Sequence, residues 1–523
     1  MKKVFLCLLV LLAFVTVQFA DVTDYIPADS AFAFTSVNNP ENYAKLKEQT
    51  IFGFLLRDMG LEGMLSQQVE SMKYADPEFK PENIWALLQG DIGLFVRGEI
   101  NYDVLAEMND MSDPEQMMAM DPMASLGTVM EAIEDLNFGL ILKPTANPKD
   151  VLETMGKLLQ MELQFGANGP VIIAEDNGYL LITMDQESMD VAMKAKANNI
   201  MSNSVFANLY QEDNWMIFYN GKMDNGKMMD AVRKASGMDL DFDLSEKVEM
   251  EYGWTKGYVK NGLVLESFNQ YNYKDQDFKN MAINLGNTQS AIIEKLNIPG
   301  FVRGAMSLRN MNQLWAMLDP VIRNVMSQAV KMSGEEIPTE AMDMIITLIE
   351  SWTGDMRMSL DVSMTETGEM AIDMYADMGT SDAAYIEQLI LTSGEQLQSS
   401  NGMKYMKLSG EMEDLAETDP YMEEFGTGEF DPYLVLSQDK MMITTIKPEN
   451  IQEKLAQATP IASNQMFSNM SKEFKTVDNY YGMLFVDIAD VLTKLMGMAY
   501  PSAIYSETGV NNEGDSQAVF VIK

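Results

Sequence analysis

The chain writes one phrase twice. "MSNSVFANLY" (Met201 to Tyr210) and "ASNQMFSNMS" (Ala462 to Ser471) share Ser-Asn, two variable residues, Phe, one variable residue, Asn, then Leu or Met. The match continues outward in order. Upstream, "NGYLLITMDQESMDVAMKAK" (Asn177 to Lys196) answers "QDKMMITTIKPENIQEKLAQ" (Gln438 to Gln457). Each reads as a strand ending in Ile-Thr, a polar turn with Glu, and an amphipathic helix. Downstream, "NWMIFYNGKMDNGKMMDAVRK" answers "YYGMLFVDIADVLTKLMGM", an aromatic strand feeding a helix. "YIPADSAFAFTSVNNPENYAKL" and "NIPGFVRGAMSLRNMNQLWAML" share Ile-Pro, a strand and a helix, and "IWALLQGDIGLFVRG" and "LIESWTGDMRMSLDV" share Gly-Asp. An ordered series at a near-constant offset of roughly 260 to 272 positions argues duplication. The expected architecture is therefore two pseudo-equivalent lobes, 21–285 and 291–523, joined within "YKDQDFKNMAINLGNTQS". They differ most at about 99–136, an insert in the first lobe.

Local patterns set the class of each lobe. In "MRMSLDVSM", Met356, Met358, Leu360, Val362 and Met364 alternate with Arg357, Ser359, Asp361 and Ser363. Met370, Ile372, Met374 and Met378 continue the apolar row after the turn "TETG". Period two predicts an antiparallel hairpin with the apolar row buried and the polar row wet. "VEMEYGW" does the same, and "KNG" (Lys260 to Gly262) marks a tight turn into "LVLESFNQYNY". "NMNQLWAMLDPVIRNVMSQAVKM" has helical spacing with a kink or break expected at Pro320, and Pro338-Thr339 opens another helix. Strands and helices without steady βαβ alternation predict α+β, each lobe a mainly antiparallel sheet with helices on one face. Ser202-Asn203 and Ser463-Asn464 open equivalent short helices by capping free amides, with Phe206 and Phe467 plugging equivalent cores.

Composition narrows the setting. "MKKVFLCLLVLLAFVTVQFA" has the charge, length and position of a secretory signal peptide, cleaved after about Ala20. It leaves no later run long enough to span a membrane. Cys7, the single cysteine, lies inside it, so no disulfide is expected in the exported chain. The expected location is periplasmic or extracellular. With 37 basic and 78 acidic residues the net charge is -41, which repels phosphate backbones and excludes nucleic acid as a partner. There is no histidine, which removes the commonest general base and every Ser-His or Cys-His nucleophile pair.

The "YIPADSAFAF" start, the "NGYLLITMDQESM" strand-turn-helix and the S-N-x-x-F phrase before an aromatic strand are carried by a known group. In these motifs the chain resembles exported bacterial proteins of the uncharacterised family called domain of unknown function 3352. The resemblance implies an exported, envelope-associated protein with no catalytic residues to carry over.

Chemistry-bearing motifs are sparse. Met108, Met111, Met117, Met118, Met120 and Met123 form a candidate copper(I) cluster in the insert, thioethers being soft ligands. Methionine also fills strand positions throughout the chain, so adaptable core filling explains its abundance more simply. Asp239, Asp241 and Asp243 lack the central Gly turn and twelfth-position Glu of a calcium loop and read as one row of a strand. No phosphate loop and no G-x-S-x-G is present. No cofactor and no catalytic residue is assigned. The expected function is an exported non-enzymatic binding or structural protein of the envelope, holding an apolar ligand between or within lobes. Two alternatives stand beside it: an envelope scaffold without a cavity, and a histidine-free, carboxylate-dependent hydrolase.

Overall fold

The structure, a computed structural model, describes residues 22–98, 136–159, 166, 171–211, 213–221, 246–333, 339–364, 370–392, 394–408 and 432–523. The chain divides into two compact units, one ending at Asn272 and one running from Tyr273 to Ile522. The division falls at the first residue of the stretch expected to join the lobes. The helix Gln276–Leu285 therefore belongs with the second unit.

Among the described residues eight strands build the first unit: β1 (Phe32–Ser36), β2 (Asp91–Arg97), β3 (Asn137–Lys143), β4 (Ile172–Asp176), β5 (Tyr179–Thr183), β6 (Met216–Asn220), β7 (Val248–Val259) and β8 (Leu263–Tyr273). Antiparallel pairs run in the order β4-β5-β3-β2-β1-β6-β7. β8 follows β7 through Asn261 and Gly262, both at positive φ, as the "KNG" turn requires. The inward row of Ala33, Phe95, Ile141, Leu181 and Tyr219 meets Val22 and Ile26 in one core.

Burial in the first sheet goes beyond the single covered face expected. β5 is buried at all five positions, and β1 and β3 are buried on nearly all of theirs. Successive strand residues point to opposite faces, so this sheet is covered on both.

The second unit holds β9 (Val302–Ser307), β10 (Trp352–Met364), β11 (Met370–Thr380), β12 (Gln398–Ser400), β13 (Met403–Lys407), β14 (Tyr433–Leu436), β15 (Lys440–Thr444), β16 (Asn479–Val486), β17 (Ile504–Val510) and β18 (Ser516–Ile522). They pair antiparallel as β12-β13-β14-β15-β11-β10-β9-β16-β17-β18. From β14 to β17 this repeats the pairing order of β4 to β7. The unit is thus α+β with a mainly antiparallel sheet, as is the first. The helix Met311–Ser333 runs on through Pro320, so of the kink or break expected there the break does not occur.

The doubled phrase does the same work in both units. Asn203 Oδ1 accepts from the amides of Val205 and Phe206 at 3.0 and 3.2 Å and caps the helix Ser204–Leu209. Asn464 Oδ1 accepts from Phe467 at 3.1 Å and caps Gln465–Glu473. Each asparagine then uses its amide to reach the end of the aromatic strand, Asn203 to Tyr219 Oη at 2.9 Å and Asn464 to Asp487 Oδ2 at 2.6 Å. Phe206 and Phe467 are fully buried. The serines end the preceding turns, Ile200–Ser202 and Ile461–Ser463, and the asparagines carry the capping.

Candidate functional site

The β10–β11 hairpin has the alternation its sequence predicts, with the sense of burial reversed over its first half. Met356 and Met358 are 36% and 41% exposed, whereas Arg357, Ser359 and Asp377 point inward. The reason lies in the inward row itself, where Arg357 and Asp377 sit opposite each other in register and neutralise one another. Paired charges tolerate cover that single charges do not.

On the outer face, the methionines border a groove of about 290 Å³ over β10, β9, β16 and β17. Its walls are Met306, Met356, Met358 and Leu484, with Ser506 and Thr508 at one side. Gly304 lies at its centre, where an added Cβ would come within 2.8 Å of Met358 Cε and 3.5 Å of Leu484 Cδ1. Gly304 and Gly482 are themselves buried, and the absence of a side chain at Gly304 lets Met358 lie close over the strand. Arg357 and Tyr481 also line the groove.

On the inner face, a polar cleft of about 940 Å³ opens over β9, β10, β11 and β15. At its base Asp377 is 4% exposed. Arg357 Nε donates to both carboxylate oxygens at 3.0 and 3.1 Å, and Arg357 Nη2 also reaches Oδ2. Tyr375 Oη and Lys440 Nζ each donate to Asp377 Oδ2, at 2.5 and 3.1 Å. Burial alone would push the Asp377 carboxyl up. The hydrogen bonds and charge of Arg357, with help from Tyr375 and Lys440, outweigh it and hold the group below its ordinary value. Burial and the Asp377 charge together push the Tyr375 phenol up. Asp355 is held by Lys295 and by Ser307, each at 2.6 Å.

A second buried carboxyl has the opposite setting. Glu507 is 0% exposed and accepts from Tyr505 Oη at 2.5 Å and from the Thr476 amide at 2.8 Å. Among the described residues no cation bonds it, and burial, outweighing these hydrogen bonds, raises its pKa.

The candidate copper methionines Met108, Met111, Met117, Met118, Met120 and Met123 lie outside the described residues, as do Asp239, Asp241, Asp243 and residues 1–20. Among the described residues no group of acidic side chains is arranged to hold a metal, and no helix is long and apolar enough to cross a membrane. No family model, curated protein or solved structure matches the chain.

The cleft residues escaped sequence reasoning because Arg357, Asp377 and Lys440 stand on three strands. Each alone looks like one more wet position in an alternating row. The one available signal was Arg357 and Asp377 on adjacent arms of a single hairpin, which register brings opposite.

Proposed function

We propose that this is an exported, non-enzymatic binding protein of the bacterial cell envelope that holds an apolar ligand in the outer groove of its second unit. The observation that carries the reading is the apolar groove that Met306, Met356, Met358 and Leu484 form with Gly304 and Gly482, with Met356 and Met358 left exposed. Thioether side chains adapt to irregular apolar partners, which suits a surface that must close over a ligand. Ligand pockets commonly enclose roughly 300–1,000 Å³. At about 290 Å³ the groove suits a single slender apolar chain better than a bulky ring system. Export rests on the N-terminal "MKKVFLCLLVLLAFVTVQFA", and kinship with the domain of unknown function 3352 proteins on the motifs quoted above. Descent of both units from one duplicated ancestor is supported by the repeated phrase and by the common strand order.

Native mass spectrometry of residues 21–523, before and after organic extraction, tests the binding reading. The expected result is a discrete extractable apolar mass at fixed stoichiometry, absent from Met358→Asp. A clean apo mass would overturn it in favour of a scaffold whose outer surface meets a protein partner.

A further inference from the structure

The donor and acceptor inventory of the inner cleft points to a second ligand. We propose that this cleft, on the opposite face of the sheet from the apolar groove, binds a small oxyanion: a molecule carrying a carboxylate or a phosphate group. The acceptors inside the cleft are occupied. Both oxygens of Asp377 are taken by Arg357, Tyr375 and Lys440. Asp355 gives one oxygen to Ser307 and the other to Lys295. The donors are not used up. Among the described residues Lys440 Nζ bonds Asp377 alone, leaving two of its three hydrogens. Among the described residues Arg357 Nη1 has no acceptor, its Nε and Nη2 serving Asp377 and Tyr375. Arg309 donates Nε to Gly286 O at 2.6 Å, and among the described residues neither of its Nη groups has an acceptor.

Charge agrees with the inventory. Inside, Lys295, Arg357 and Lys440 face Asp355 and Asp377, three cations against two carboxylates. Glu294 and Asp439 also line the cleft, but both are exposed. With the exposed Arg309 counted too, four cations meet four carboxylates over the whole lining, so the cleft is neutral overall in a chain with 37 basic and 78 acidic residues, and the one surplus cation is among its less exposed groups. What remains to be satisfied is cationic and donor-rich, so the complement is anionic and acceptor-rich, with guanidinium forks suited to planar carboxylates and phosphates. Stability alone does not account for the arrangement, because apolar packing in place of a buried ion pair is commonly as stable or more so.

Isothermal titration calorimetry of residues 21–523 at low ionic strength tests this, with inorganic phosphate in one arm and succinate in the other. Saturable binding is expected in at least one arm, weakened about tenfold or more by Arg309→Ala and by Lys440→Gln. Lys472→Ala, on an exposed helix position away from the cleft, leaves it unchanged. Arg309 is exposed and its side chain bonds only one backbone carbonyl, so its variant keeps the fold even where Lys440→Gln loosens the Asp377 pair. Phosphate alone or succinate alone identifies the recognised group. Heat in neither arm, or an affinity that both cleft variants leave unchanged, overturns the proposal whatever the fate of the apolar groove.

Discussion

In the first unit, β2 and β3 turn Phe95 and Ile141 inward, and both are fully buried. In the second, the strands in the same places of the order, β10 and β11, turn Arg357 and Asp377 inward instead. The elements laid over them differ as well. The turn Val22–Tyr25 packs on β2 and β3, whereas the helix Gln289–Lys295 packs on β9 and β16. One strand order therefore supports either a closed apolar core or an open charged cleft, and the choice depends on which strands the preceding segment covers. The outer faces differ in the same direction, β1, β3 and β5 being buried on both sides while β10 leaves its methionines in solvent.

The comparison breaks first at the phenylalanine plugs. Phe206→Ala and Phe467→Ala should each cost about 3–5 kcal/mol, read by denaturant unfolding. Similar losses support equivalent plugs; a loss several-fold smaller at one site would show that the shared phrase serves different cores.

Next come the buried carboxyls. Asp377→Ala leaves Arg357 without its partner and should cost about 3 kcal/mol, while Arg357→Met with Asp377→Leu should be neutral or stabilising. Their pH signatures have opposite sign. Asp377, held below its ordinary value, contributes stability that is present above the ordinary carboxylate range and is lost as pH falls through its folded value. Glu507, held above its ordinary value, contributes stability that is full below that ordinary value and is lost as pH rises through its folded value. Glu507→Gln should therefore raise Tm at neutral pH and flatten its decline above the carboxylate range. A Tm profile unchanged from pH 4 to 8 would contradict this assignment.

The smallest effect belongs to the outer row. Met358→Lys should change stability by no more than about 0.5 kcal/mol, since surface substitutions are usually silent. The same change at Ile141 should unfold the first unit. A large loss at Met358 would mean that this face is covered.

These residues also show what could be read without coordinates. The asparagine caps were legible because capping is local, a side chain answering amides two and three residues on. The hairpin of β10 and β11 was legible because period two is local as well. Its inside was not. Alternation fixes which residues share a face and leaves open which face is covered, and methionine serves buried and exposed apolar positions alike. The cleft needed register across four strands, and the two-sided cover of the first sheet needed the packed unit. Neither leaves a mark in a short window.

One consequence of the topology concerns the order in which the chain can fold. β9 is the first strand of its unit yet lies inside the sheet, between β10, which is made soon after it, and β16, which arrives near the end of the chain. A chain emerging from its N-terminus therefore carries Val302–Ser307 with one backbone edge unpaired until Asn479–Val486 is complete. A product ending before Asn479 would keep that edge, a template for pairing with another copy. For this unit, truncation at the C-terminus opens the middle of the sheet; it does not trim an outer strand.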